Sequence, residues 1–420
     1  MATFQRSCGL LCTPFCACAR HRCMITGGGM LSLKQIFIFC FVGLLFLVTS
    51  EILAQPHHRG DPPPWKRFNS ERSQQTTPKG MQAGMQQQVV SPSAIGYIET
   101  HMHLNGIYGI YGSGSSKQRD FDAAAQNAMV RMKQLNMTRM LIMPPPTQYQ
   151  KEASTQYDYE VLKGIAQKYP DSFSFVGGGG SLNPMIQEAL HVGGVSDSLK
   201  KRFEEKAHEI ARSGAIGFGE MTASHLSFRA GHPYIDASPD HPLFLALADI
   251  AAQYSIPIDL HMEALEKEMS LPQGFQSPPN PSVLKANIPA LERLLSHNRD
   301  AKIIWVHIGW DNTGQMSLSL LRRLLQAHPN LYMSLKYLDG GLSSGQNRPV
   351  ENNQLKPAWL AFLQEFPDRF VLGADQFYGI PGKTKPFPQS DHGSVYILKG
   401  LPSDLAKKIA FENAEKLFNF

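Results

Sequence analysis

From residue 95 to residue 418, short apolar runs alternate with longer stretches whose apolar residues recur at helical spacing. The short runs predict strands at Ile95–Thr100, Met140–Met143, Phe173–Val176, Ala215–Gly219, Pro257–Leu260, Lys302–Val306, Leu331–Leu335 and Phe370–Gly373. Between and after them, helices are predicted at Ala123–Leu135, Tyr157–Tyr169, Leu199–Arg212, His241–Tyr254, Ile288–Ser296, Leu318–Ala327, Pro357–Phe366 and Leu405–Phe418. A strand followed by a helix, repeated, makes a parallel sheet, because parallel neighbours need a crossover. Eight such pairs over this length predict an α/β fold of the (β/α)8 TIM-barrel type. An open doubly wound sheet is the alternative. In a barrel the chemistry collects where strands end, and the longest connections, 104–120, 221–240, 262–287 and 376–400, all follow strands.

The first 93 residues read differently. Lys34 precedes an uninterrupted apolar run, Ile36 to Val48, and Ala54 closes a small-residue cleavage pattern. Thirteen apolar residues suit a signal peptide better than a membrane span. The reading is export to the periplasm or the exterior, with an uncleaved N-terminal anchor as the alternative. Met30 would give an ordinary leader, so the true start is expected there. Residues 55–93, rich in Pro, Gln and Ser, predict a disordered linker, and the globular domain is expected over 94–420. Net charge is +5, with Arg6, Arg20, Arg22 and Lys34 ahead of Ala54 against Glu51 alone. The remainder carries too little excess charge to suggest nucleic acid. The expected partner is a small-molecule substrate, with no nucleic acid and no membrane after cleavage; a homo-oligomer is compatible. All six cysteines, Cys8, Cys12, Cys16, Cys18, Cys23 and Cys40, precede residue 41. The body therefore has no thiol nucleophile or thiolate ligand, and any metal in it must be held by His and carboxylates.

Such residues recur where the predicted strands end. His101 and His103 end the first; residues two apart on a strand share a face, so both imidazoles can point to one place. Glu220 ends the fourth, His261 the fifth, His307 the sixth and Asp375 the eighth. A lone strand-end histidine is usually structural, and a lone carboxylate often a helix cap. Six such residues from five strand ends predict a divalent metal site, with zinc first and manganese, iron or nickel as alternatives, and one ion or two. Lys336, after the seventh strand, and His225 and Arg229, after the fourth, are candidate substrate-binding residues, as is Trp310 with its neighbour Asp311. Gly177 to Gly180 lacks the context of a P-loop or a dinucleotide fingerprint and reads as a close-packed turn.

The order HxH, His, His, Asp on strands one, five, six and eight resembles the amidohydrolase superfamily of metal-dependent TIM barrels. The C-terminal Ile409-Ala-Phe-Glu-Asn-Ala-Glu-Lys-Leu-Phe418 is similar to the closing helix of its amidohydrolase-related family. The resemblance covers roughly residues 94 to 420. It implies a cation held by His101, His103, His261 and Asp375, a catalytic role for Asp375 and His307, and water as the nucleophile. Glu220 departs from the carboxylated lysine of many two-metal members and is similar to the bridging glutamate of TatD-like ones. It is a ligand or bridge, or alternatively a capping residue.

The reading is an exported metal-dependent hydrolase that uses metal-activated water on an amide, lactone or other ester bond of a small molecule. One alternative is a metal-dependent non-oxidative decarboxylase on the same scaffold; another is a non-catalytic exported metal- or ligand-binding protein.

Overall fold

The computed structural model describes residues 93–107, 119–149, 157–228, 232–275, 279–338, 347–384 and 389–420. The stretch expected to be a leader, almost all of the stretch expected to be a linker, and Arg229 lie outside the described residues.

Eight parallel strands form a ring. They are β1 (Tyr97–Asn105), β2 (Met137–Ile142), β3 (173–178), β4 (Phe218–His225), β5 (Ile258–Met262), β6 (Ile303–Ile308), β7 (Leu331–Leu335) and β8 (Phe370–Leu372). Each pairs with its sequence neighbour, and β8 returns to β1 through Glu99 and Leu372. The third strand is shared along its length: Phe173–Phe175 pairs with β2 and Gly177–Gly178 with β4. Val176 N donates to Ile142 O on one side, and Phe175 O accepts from Ile216 N on the other. The ring therefore closes at β3, as the eight-fold alternation predicts.

The helices form because their apolar residues lie on one stripe, and in several of them a side chain caps the first turn. In α4 (Asp197–Arg212), Leu199, Phe203, Ala207 and Ile210 are buried, and the Ser196 hydroxyl accepts from Leu199 N. In α7 (Leu318–Ala327), Leu320, Leu321, Leu324 and Leu325 are buried, and Ser317 accepts from Leu320 N. The other helices of the ring are α1 (Phe121–Leu135), α2 (Tyr159–Lys168), α3 (Leu182–Val192), α5 (Pro242–Tyr254), α6 (Ile288–His297) and α8 (Pro357–Glu365). Two helices fall in stretches expected to be loop: α3, and α9 (His392–Lys399). The other long connections carry short antiparallel pairs, Ile235–Asp236 on β4 and Met269–Ser270 against Val283–Leu284.

One end of the barrel is plugged. Ile98, Leu141, Val176, Ile304, Val306 and Val371 face inward and pack on Ala414, Leu417 and Phe418 of the C-terminal helical segment. The polar residues are left to the opposite end, where the strands finish.

Candidate metal centre at the strand ends

Six of the residues singled out in the sequence converge there. His101, His103, Glu220, His261 and His307 are buried, and the Asp375 side chain, 14% exposed, is the most open of the six. Most of them do not end strands: β1 runs on through both histidines, β4 through Glu220, and β6 through His307. The apolar runs stop earlier than the ladders do, because a buried polar side chain does not stop its own backbone from pairing.

Three β-bulges aim the set. From Glu99 to Met102, β1 advances three residues while β2 advances two, from Met140 to Ile142. The same excess occurs between Phe218 and Met221 on β4 and between Trp305 and Ile308 on β6. His101, Glu220 and His307 lie inside these three steps. A bulge reverses side-chain alternation, so Ile98 can fill the plug while His101, an odd number of residues later, also points inward. Val306 and His307 are adjacent and both face the interior. His307 has φ +63° and Asp375 φ +52°. Such left-handed backbone in non-glycine residues costs on the order of 1–3 kcal/mol each and clusters at functional sites.

The polar atoms face one another in a defined pattern. His103 Nδ1 lies 3.0 Å from Met143 O, so Nδ1–H donates to that carbonyl and Nε2 carries a lone pair. That Nε2 is 3.1 Å from Asp375 Oδ1 and 3.3 Å from Glu220 Oε2. His101 Nδ1 is 3.0 Å from Asp259 Oδ2, which leaves Nε2 facing Glu220 Oε2 at 3.6 Å and Asp375 Oδ1 at 3.8 Å. The other Glu220 oxygen, Oε1, lies 2.5 Å from His261 Nδ1 and 3.5 Å from His307 Nε2.

Lone pairs facing lone pairs across little more than 3 Å repel unless a proton or a cation lies between them. Without a cation the histidines must supply the charge. Burial alone would lower the His101 pKa, but Asp259 and Glu220 outweigh it and raise it well above the ordinary value. His103 is raised for the same reason, against its burial, by Asp375 and Glu220. Burial favours the neutral form of Glu220 and of Asp375, yet His101 pulls the first and Lys336 the second well below the usual carboxylate range. Among the described residues, two clusters have donor atoms close enough to share an ion: His101, Glu220 and His307, and His101, His103 and Asp375. The donors are nitrogen and oxygen only, which suits zinc, manganese, iron or nickel. The residues present fit a divalent cation.

Lys336 is buried and belongs to this centre. Its Nζ is 2.6 Å from Asp375 Oδ2 and 3.3 Å from the centre of the Trp310 ring. Burial lowers its pKa, and Asp375 opposes that. Trp310 in turn stacks on Phe228 at 5.6 Å, part of a small apolar group over this side of the site that includes Leu265, Phe275 and Leu284. Asp311 accepts from Thr313 N and Gly314 N and braces the loop that carries Trp310. His225 packs beside His261 with ring centres 4.8 Å apart. Burial, with His261 and His232 nearby, pushes its pKa down to about 3. Gly177 to Gly180 is close-packed as expected: a Cβ on Gly179 would lie 2.6 Å from Pro144 O and 2.9 Å from Glu220 N.

Three residues of this centre escaped the sequence reading. Asp259 sits behind His101, Phe377 stacks on His103 at 4.2 Å, and Glu263 accepts from Asn312 Nδ2 at 2.8 Å. Asp259 precedes His261 by two residues on β5, the one signal that puts both on the same strand face, and Glu263 follows just past the strand's end.

The Lys336–Asp375 pair should be measurable. Lys336→Met leaves a largely buried carboxylate without its donor and should destabilise the cation-free protein by about 3 kcal/mol. Chemical denaturation in chelator reads this directly, and an unchanged midpoint would reject the pairing.

An amidohydrolase family model matches residues 201–420, which includes β4 to β8. No curated protein matches the chain. Solved structures with a similar path include 5-carboxyvanillate decarboxylase from Sphingomonas paucimobilis, at 13% identity and TM-score 0.44, covering 78% of this chain and 100% of that one. A probable 2-pyrone-4,6-dicarboxylic acid hydrolase from Acinetobacter baumannii aligns at 14% identity and TM-score 0.40, with 78% and 100% covered. The 2,6-dihydroxybenzoate decarboxylase from Rhizobium aligns at 14% identity and TM-score 0.41, with 77% and 98% covered.

Proposed function

The chain belongs to the amidohydrolase family, and from that premise we propose that it is a two-cation hydrolase acting on an ester, lactone or amide bond of a small molecule. The observation that carries this reading is the division of labour at Glu220. Its Oε2 faces His101 and His103, and its Oε1 faces His261 and His307. A carboxylate with one oxygen toward each of two nitrogen pairs has the disposition of a bridge. One half would be held by His101, His103 and Asp375, the other by His261 and His307.

Divalent cations bound there supply Lewis acidity and lower the pKa of water, in zinc enzymes to about 7. The chain's own residues account for the rest. Asp375, anionic at working pH, accepts a proton from attacking water on its carboxylate and returns it to the leaving group. Lys336 holds Asp375 Oδ2 and leaves Oδ1 toward the histidines. His307, which burial and then Lys336 keep well below its ordinary pKa and hence neutral, is a nitrogen donor rather than an acid. The water bond to hydrogen breaks, the carbonyl carbon gains oxygen, and the alkoxide or amine leaves with the proton that Asp375 carried.

The experiment is metal analysis with an activity panel. Chelator-stripped protein reloaded with zinc or manganese should hold two ions per chain and cleave at least one ester or lactone. Glu220→Gln should drop to about one ion and lose more than the roughly 100-fold that removing a mere hydrogen-bond partner of a metal ligand costs. One ion per chain together with release of CO2 from a carboxylic acid would replace this reading by the decarboxylase. We further propose that the protein is exported, on the strength of the Ile36 to Val48 run; no helix among the described residues is long and apolar enough to cross a membrane.

A further inference from the structure

The two histidines of the HxH pair are held differently from behind. His103 gives its Nδ1–H to a backbone carbonyl, Met143 O. His101 has a carboxylate there, Asp259 Oδ2, at 3.0 Å. Asp259 comes from β5, four strands from β1 around the ring, and is 1% exposed. Its other oxygen, Oδ1, has no hydrogen-bond partner. It is also closely confined, since a Cβ on Gly219 would lie 3.0 Å from Asp259 Cβ. A fully buried carboxylate that makes one side-chain contact is an expensive way to fill space, and an apolar residue of similar volume is often neutral or better. Its contact is with the one histidine common to both donor clusters.

We propose that Asp259 is a positioning residue that sets cation affinity at the centre, by locking the His101 ring with Nε2 toward Glu220 and Asp375 and by making that nitrogen a stronger donor. The inference rests on the cation-binding reading above. A carboxylate behind the imidazole fixes the tautomer and adds electron density to the ring, whereas the carbonyl behind His103 does only the first. Both clusters share His101, so Asp259 acts on both.

The test is cation affinity, independent of any substrate. Asp259→Asn keeps an acceptor for Nδ1–H and removes the charge. Its manganese dissociation constant, measured by calorimetry on chelator-stripped protein, should rise about 10- to 100-fold, the usual effect of losing such a partner. Asp259→Leu removes the acceptor as well and should bind more weakly still. Cation-free Asp259→Asn should melt below the wild type, because the charged His101 ring loses its partner, and manganese should raise its melting temperature less than it raises that of the wild type, an outcome a merely structural role would not give. If Asp259→Asn binds manganese as tightly as the wild type, the inference is overturned and the cation site stands. If the wild type itself takes up no divalent cation, the site reading falls and this inference with it. Should the variants fail to fold, the wild type still decides. In zinc-loaded protein with 15N-labelled histidine, the His101 Nδ1 proton should be far downfield and slow to exchange, and its absence would overturn the assignment.

Discussion

Asp375→Asn should leave the fold intact and lower turnover by roughly 100- to 10,000-fold, the range associated with a positioned proton-transfer group, or about 3–5 kcal/mol of transition-state stabilisation. The change is isosteric. Asp375 N donates to His101 O at 2.9 Å, a backbone contact that the substitution keeps. What it removes is a charge with two obligations. Oδ1 faces His103 at 3.1 Å, and Oδ2 takes the Lys336 ammonium at 2.6 Å. An asparagine has one acceptor oxygen. If that oxygen stays with Lys336, the amide NH2 is turned to the histidines, where a cation would be repelled; if it turns to the histidines, Lys336 is left opposite a donor. In neither orientation can the side chain carry a proton from water to the leaving group. Turnover of an ester or lactone that the wild type cleaves, together with thermal melting, makes the comparison. A folded variant that works unimpaired would reject Asp375 as the proton carrier.

The parts of this centre differ in how far the sequence discloses them, for physical reasons. Burial of both faces gives each barrel strand an apolar run, so the eight-fold alternation and the barrel could be read directly. The six histidines and carboxylates stood out because strongly polar residues interrupting such runs are rare in a core. The bulges left no mark. His101, Glu220 and His307 each need an extra residue in their strand to face inward, and whether a ladder accommodates one depends on its neighbour's register, a relation between residues as far apart in sequence as Glu99 and Met140. Asp259 was hidden for a related reason. Within Ile258-Asp-Leu-His261 it reads as an ordinary polar residue in a strand, and only closure of the ring brings it behind His101. Lys336 could be singled out by its place after β7, but its pairing with Asp375 could not, because a lysine at a strand end is more often solvated. Helix α9 was missed because the stretch before it, with Pro381, Pro386 and Pro388, carries the marks of a loop and draws attention from the short helix beyond.

Outside the barrel wall a second buried carboxyl governs stability rather than catalysis. Glu99 belongs to β1 ahead of the bulge, so it points away from the metal centre. It is fully buried, and its Oε2 accepts from Ala374 N at 3.0 Å. Burial raises its pKa from 4.5 to about 8, with the Ser394 and Ala374 hydrogen bonds opposing the rise and Asp391 adding to it. In the folded protein it is thus neutral at pH 7, whereas in the unfolded chain it is ionised. Between about pH 4.5 and pH 8 the native state binds the extra proton, and stability falls as pH rises, by about 1.4 kcal/mol per unit from this group. Its contribution is full below pH 4.5 and gone above pH 8. Glu99→Gln keeps the shape and an acceptor for Ala374 N but cannot ionise. Measured by denaturation of cation-free protein, the variant should gain on the wild type steadily from pH 5 to pH 8, by about 3–5 kcal/mol across the window. The sign separates this from ordinary acid denaturation, in which carboxylates with lowered pKa lose their contribution as pH falls. A wild type and variant whose stabilities run parallel over that range would show that Glu99 is ionised in the folded protein and that the barrel wall tolerates its charge.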